Sequence, residues 1–166
     1  MNQTLSTAPQ LSLPELLEKR HSCRAYLPRP VPHETILELL SLAQRAPSWC
    51  NSQPWNVTIT EGRGTEAFRS ALRHAAEAQM SGPTDFPFPK AYVGIYKDRQ
   101  RECGWQLYDS VGITQGDRVA SGRQVMENFS LFGAPHVAIV TSEADLGTYG
   151  VLDCGGYVSA FLLAAT

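Results

Sequence analysis

The sequence predicts one globular domain in which helices predominate and a few strands complete the core. Three observations lead there. A chain of 166 residues with 43% hydrophobic composition can bury a core of its own. Apolar residues recur at helical spacing in several separate segments. Two short β-branched runs, around Val57 and around Ile139, have the pattern of strands.

In chain order, residues 1–11 form a polar arm, and the domain occupies residues 12–166. Ser12-Leu13-Pro14-Glu15 has the spacing of a capping box with proline at an early helical position, which predicts a short helix over 13–20. Pro28, Pro30 and Pro32 close an extended piece. Ile36, Leu37, Leu39, Leu40 and Ala43 then recur at helical spacing, predicting a second helix that ends near Ala46. Trp55, Val57 and Ile59 alternate with polar neighbours as a strand, and Gly62 and Gly64 mark a turn. Thr65 is the expected cap of a third helix carrying Phe68, Leu72 and Ala75 or Ala76, and residues 81–89 are an expected surface loop. Between residues 90 and 132 the aromatic and aliphatic pattern fits helices with a break at Gly112. Gly133-Ala134-Pro135 then precedes a buried strand over 136–141. An apolar helix with small residues spans 151–165. It stops in FLLAAT without a glycine cap, a basic last turn or a polar exit, so the domain is expected to be incomplete at this end, a natural last helix being the alternative.

A formal net charge of −2 argues against a general nucleic-acid binder, which needs excess Lys and Arg to neutralise phosphates. Nothing resembles a targeting peptide or a membrane span. Cys23, Cys50, Cys103 and Cys154 are far apart and make no CxxC pair, which fits reduced thiols in a cytoplasmic protein and gives no metal-ligand spacing.

Two polar segments hold the candidate chemistry. In Arg20-His21-Ser22-Cys23-Arg24, two guanidinium forks and a hydroxyl lie within five residues. Such a group suits a phosphate dianion, and an extended backbone would put Arg20, Ser22 and Arg24 on one face. A solvated basic patch is the other reading. In Pro47-Ser48-Trp49-Cys50-Asn51-Ser52-Gln53-Pro54-Trp55, the side chains of Ser48, Asn51 and Gln53 offer mixed donors and acceptors between rigid prolines and aromatics. An ordinary helix-to-strand connection anchored by two tryptophans is the other reading of this loop.

Taken together, RHSCR, then a helix, then APSWCNSQPW before a strand resembles the signature of the nitroreductase family in order, spacing and residue type. The likeness continues through ENFSLFGAP and through LDCGGYVSAFLLAA, which resembles that family's central helix. It covers the chain from about Leu13 to its end. The resemblance implies an α+β fold, a mixed and mainly antiparallel sheet flanked by helices, in an intertwined homodimer with FMN at the interface. By position, Arg20, His21, Ser22 and Arg24 resemble the residues that hold the FMN phosphate and ribityl end in one subunit. Pro47, Ser48, Asn51 and Gln53 resemble the partner subunit's contribution to the flavin. The family's segments beyond the central helix have no counterpart in this sequence.

The implied activity is ping-pong hydride transfer from NADH or NADPH through FMN to nitroaromatic or quinone-type acceptors. The flavin carries the difficult chemistry, so no catalytic side chain and no metal is expected. The stretch Gly104-Trp105-Gln106-Leu107-Tyr108 resembles members with a larger insertion, some of them nitrobenzoate reductases, and Arg99, Arg101, Trp105 and Tyr108 are candidates to line the substrate side. Competing readings are a flavin-dependent relative performing dehalogenation or flavin fragmentation, and a truncated remnant acting as an interaction module. His33, His74 and His136 are expected in packing or surface roles, and Asp153 in a structural one.

Overall fold

A computed structural model describes residues 11–80, 82 and 84–166. The N-terminal arm, apart from Leu11, lies outside the described residues, as do Ser81 and Pro83 of the expected loop. The elements run α1 (Leu13–Lys19), α2 (His33–Ala43), β1 (Asn56–Thr60), α3 (Arg63–Glu77), α4 (Ile95–Ser110), α5 (Arg118–Met126), β2 (Val137–Thr141) and α6 (Gly147–Ala164). Short 3₁₀ turns occur at Trp49–Asn51, Leu131–Gly133 and Ala144–Leu146.

The chain divides into two compact units. The first comprises the chain up to Thr65 together with Ala134–Thr166, and the second is Glu66–Gly133. In the first unit, β1 and β2 pair antiparallel, with Val57 opposite Val140 and Thr60 opposite Val137. Among the described residues this is the whole sheet, so the antiparallel character expected of the fold is present in two strands. Helix α2 packs on α6. Ala43, Trp55 and Tyr157 form the buried centre, with Ala46, Val57, Val140, Cys154 and Phe161 packed around it. The Trp55 and Tyr157 rings lie 4.9 Å apart at 31°, an offset arrangement favoured by aromatic quadrupoles.

Local chemistry explains the boundaries. At α1, the Glu15 carboxylate accepts from the Ser12 backbone N–H at 2.7 Å and from its hydroxyl at 2.6 Å. These bonds hold the Glu15 carboxyl below the usual carboxylate range. Helix α2 begins at His33, directly after Pro32, and ends at Ala43 rather than near Ala46.

Thr65 is not a cap. Gly62 adopts a φ of +49°, a left-handed turn that glycine enters without steric cost, and the chain is already helical by Arg63. Thr65 is instead 1% exposed inside the helix. Its hydroxyl continues a directed chain of bonds: the Val137 N–H donates to Thr60 Oγ1 at 3.2 Å, Thr60 Oγ1 to Thr65 Oγ1 at 2.9 Å, and Thr65 Oγ1 to the Pro135 carbonyl at 3.0 Å. This chain ties β1, β2 and the start of α3 together.

Strand β2 starts at Val137, one residue after the expected His136, whose ring has another task. The Val31 N–H donates to His136 Nε2 at 2.9 Å, and His136 Nδ1 lies 3.1 Å from the Thr60 carbonyl. A carbonyl only accepts, so Nδ1 carries the proton and the ring is neutral. The imidazole thereby clips the segment that follows α1 to the end of β1.

Helix α6 starts four residues earlier than expected. Gly150 sits where a Cβ would come within 2.9 Å of Leu146 Cβ and 3.2 Å of Ser142 Oγ, so this turn closes on the preceding 3₁₀ turn only with glycine.

In the second unit, α3 secures the segment leading to Gly133. Arg69 pairs with Glu66 and donates through Nε to the Ser130 carbonyl at 3.0 Å, while Arg73 pairs with Glu77 at 3.3 Å.

Candidate functional site

The loop between α2 and β1 is the most constrained backbone of the first unit. Cys50, Asn51 and Gln53 have φ of +51°, +55° and +46°, left-handed conformations at residues that have a Cβ. Asn tolerates this region, whereas Cys and Gln are strained there, so the surroundings must hold them. Three contacts do so. The Ser48 hydroxyl accepts the Gln53 N–H at 2.9 Å and closes the loop on itself. The Asp153 carboxylate accepts the Trp49 N–H, with its two oxygens at 3.0 and 3.2 Å. The Trp49 ring lies 5.0 Å from that of Tyr149.

Tyr149 and Asp153 are four residues apart on α6 and therefore share a helix face, so one face of this helix grips both the backbone and the ring of Trp49. The structural role expected for Asp153 is observed. Asp153→Ala leaves the Trp49 N–H without its charged acceptor and should destabilise the protein by about 1.5–3 kcal/mol. Asp153→Asn keeps an acceptor and should retain most of that stability. Urea titration of both variants checks this, and equal losses in the two would rule out the bond as the source.

The loop ends in the core. Pro54 and Trp55 are buried, whereas Pro47, Asn51 and Gln53 are exposed and Ser48 is half-buried. The Trp55 indole N–H donates to Gln44 Oε1 at 2.8 Å, Gln44 Nε2 donates to Gln53 Oε1 at 3.1 Å, and Gln53 Nε2 donates to Asn51 Oδ1 at 3.2 Å. Of the loop residues predicted from sequence, Ser48, Asn51 and Gln53 are thus brought into one bonded group. Gln44 belongs to the same group and was missed, because it stands outside the polar motif at the end of α2. The available signal was Trp55, since a buried indole needs an acceptor.

The basic segment lies after α1, without regular secondary structure. Arg20 has extended backbone (φ −63°, ψ 120°) and is half-buried, while His21, Ser22 and Arg24 are exposed. His21 Nδ1 donates to the Lys19 carbonyl at 3.0 Å, and Arg24 Nη1 to the Cys23 carbonyl at 3.0 Å. Among the described residues, the side chains of Arg20 and Ser22 have no partner. Nor does any hydrogen bond of Arg20, His21 or Ser22 reach the loop at 47–53.

Residues 17–166 match the model of the Nitroreductase family. The chain belongs to that family. It is 31% identical to nitroreductase NfnB of Mycolicibacterium smegmatis over 98% of this chain and 71% of that protein. It is also 31% identical to a 4-nitrobenzoate reductase of Pseudomonas putida, over 90% of this chain and 66% of that one. The crystal structure of an FMN and NADPH-dependent nitroreductase NfnB from Sphigopyxis sp. strain HMH superposes with a TM-score of 0.87 at 29% identity, covering 93% of this chain and 70% of that one. A complex of NfnB from Mycobacterium smegmatis with NADPH gives 0.83 at 30% identity, over 90% and 67%. This chain therefore spans about two thirds of the length of these nitroreductases.

Within this nitroreductase-family chain, Arg99, Arg101, Trp105 and Tyr108 belong to α4 in the second unit. Both arginines are exposed, and the two rings meet edge-on at 5.9 Å and 68°. His33 and His74 are exposed at helix positions. No helix among the described residues is long and apolar enough to cross a membrane.

Proposed function

We propose that this protein is an FMN-dependent oxidoreductase that uses NADH or NADPH to reduce nitroaromatic or quinone-type acceptors by a ping-pong route. The observation that carries this reading is the loop at 47–53, whose strained backbone is pinned by Asp153 and Tyr149 so that exposed Asn51 and Gln53 are held in one arrangement. Support comes from relatives named for nitrobenzoate and nitrobenzene reduction, and from neighbours described as FMN and NADPH-dependent.

The donor set fits FMN. Arg20 and Ser22 are available for a phosphate, since neither side chain has a protein partner among the described residues, with His21 between them and Arg24 two residues further on. Asn51 and Gln53 offer amide N–H groups suited to the carbonyl oxygens of a flavin ring, with Pro47 and Ser48 shaping the approach. When bound, FMN supplies the hydride-accepting and hydride-donating chemistry that no side chain here provides. The chain's own groups hold the phosphate by charge-assisted bonds, orient the ring through fixed donors and wall it with Trp49. No residue is assigned a nucleophilic or proton-transferring step.

We also assign a homodimer in which the basic segment of one subunit and the loop of the other serve one flavin. Helix α6 supports it: Leu152 and Leu162 are 64% and 45% exposed, and between them Gly155 and Gly156 have nothing within 4 Å of a Cβ position. Such an apolar, small-residue face suits the close approach of a second chain. The four free cysteines support a cytoplasmic location, which cell fractionation checks.

The test is to supply the purified protein with FMN and follow NADPH and NADH oxidation with 4-nitrobenzoate, nitrobenzene and a quinone. Turnover with at least one acceptor is expected, and none with any of them would overturn the reading. Sedimentation of the same preparation should give twice the chain mass, and a monomer would overturn the dimer.

A further inference from the structure

The amides beside the loop form a chain of hydrogen bonds whose direction is fixed at its buried end. An indole N–H donates and cannot accept. Trp55, 7% exposed, therefore obliges Gln44 to turn its Oε1 inward. That leaves Gln44 only N–H groups to offer to the loop, so Gln53 must receive them on its oxygen, and Asn51 must in turn receive Gln53 on its own oxygen. With Oδ1 turned toward Gln53, exposed Asn51 has Nδ2 as its outward group, and Nδ2 has no partner among the described residues. Reversing any one amide would place two donors or two acceptors face to face somewhere along the chain.

We propose that Gln44 is a positioning residue that sets the polarity of the flavin site: through Gln53 it forces Asn51 to present N–H donors, so the loop selects the acceptor atoms of the ring rather than its single N–H. The inference rests on the reading that this loop faces FMN. Its consequence is redox tuning. Reduction adds electron density to the ring's acceptor edge, so fixed donors hold the reduced form more tightly than the oxidised one and raise the midpoint potential.

Gln44→Glu reverses the chain with no loss in the number of bonds. One carboxylate oxygen still accepts from Trp55, the other accepts from Gln53 Nε2, Gln53 Oε1 then accepts from Asn51 Nδ2, and Asn51 Oδ1 faces outward. Gln53→Glu produces the same reversal at Asn51 from an exposed position, leaving Gln44 and Trp55 as they are. Both variants also add a negative charge. Gln53→Leu cuts the chain and so provides the background on which a charge effect through space would persist and a relayed effect would vanish.

The experiment measures FMN affinity by flavin fluorescence and the midpoint potential of bound FMN in the wild type, Gln44→Glu, Gln53→Glu, Gln53→Leu and the Gln44→Glu/Gln53→Leu double variant. In Gln44→Glu and Gln53→Glu, FMN binding should weaken about tenfold, and the reduced form should lose about tenfold more than the oxidised, which is about 30 mV off a two-electron potential. On the Gln53→Leu background, Gln44→Glu should change neither quantity. If Gln44→Glu does not fold, Gln53→Glu is compared with and without Asn51→Ala: the lost Gln53 N–H and the added charge act in both, whereas the reversal at Asn51 acts only where Asn51 is present, so an equal effect in the two backgrounds would overturn the relay. Unchanged affinity and potential in both single variants, or a Gln44→Glu effect of equal size on the Gln53→Leu background, would overturn the relay while leaving the flavin site in place. A wild-type protein that takes up no FMN would overturn the flavin reading and this inference together.

Discussion

Tyr157→Ala is expected to lower the unfolding free energy by about 3–5 kcal/mol, the range for removing a buried ring from a close-packed core. The residue is 2% exposed, stacks on Trp55 and lies beside Ala43, so one side chain joins α6 to α2 and to the entry of β1. A loss of that size is a large part of the total stability of an ordinary domain. Urea titration followed by tryptophan fluorescence measures it, and a change below 1 kcal/mol, taken roughly as a surface effect, would show that the ring is not central.

Tyr157→Phe isolates the hydroxyl. Burial pushes the Tyr157 phenol up from its ordinary value. Below about pH 10 the folded and unfolded chains both keep the proton, and this group adds no pH dependence. Above that value the unfolded chain releases the proton while the folded chain retains it, so stability falls as pH rises. The Phe variant should show a shallower alkaline decline than the wild type. Parallel alkaline slopes would remove Tyr157 as its source.

The same core explains what the sequence could and could not disclose. Ser12 and Glu15, and the alternation of Trp55, Val57 and Ile59, are short-range signals, and the elements they predict are present within a residue or so. Thr65 misled because a threonine after glycines has the pattern of a cap, whereas its hydroxyl answers to Thr60 and Pro135, the latter far along the chain. The early start of α6 depends on Gly150 fitting against Ser142 and Leu146, which helix propensity alone would discourage.

At the site, the order of the two polar segments was legible and the means of holding them was not. The acceptor for the Trp49 N–H is Asp153, and the clip on Val31 is His136, each more than a hundred residues away in sequence. Gln44 carries no motif, and it becomes informative only once the Trp55 indole is known to be buried and to donate to it.

Replacing both Arg20 and Arg24 with Ala should weaken FMN binding by about a hundredfold or more. Charge-assisted hydrogen bonds contribute about 1.5–3 kcal/mol each, and the lower figure suits a pair of which Arg24 is exposed. The contrast within the chain supports assigning the larger share to Arg20. Arg69 and Arg73 are paired with Glu66 and Glu77, while Arg20, half-buried as a residue, has no such partner among the described residues, so its charge is open to an arriving anion. Arg24 donates through Nη1 to the carbonyl of its neighbour Cys23.

Riboflavin separates this role from general damage, because it carries the same ring without the phosphate. The double variant should bind riboflavin as the wild type does while losing FMN, and the salt dependence of FMN binding should flatten as the two charges are removed. Unchanged FMN affinity would dismiss the phosphate assignment. An equal loss of riboflavin would instead move these arginines to the ring or to the folding of the segment that His136 clips in place.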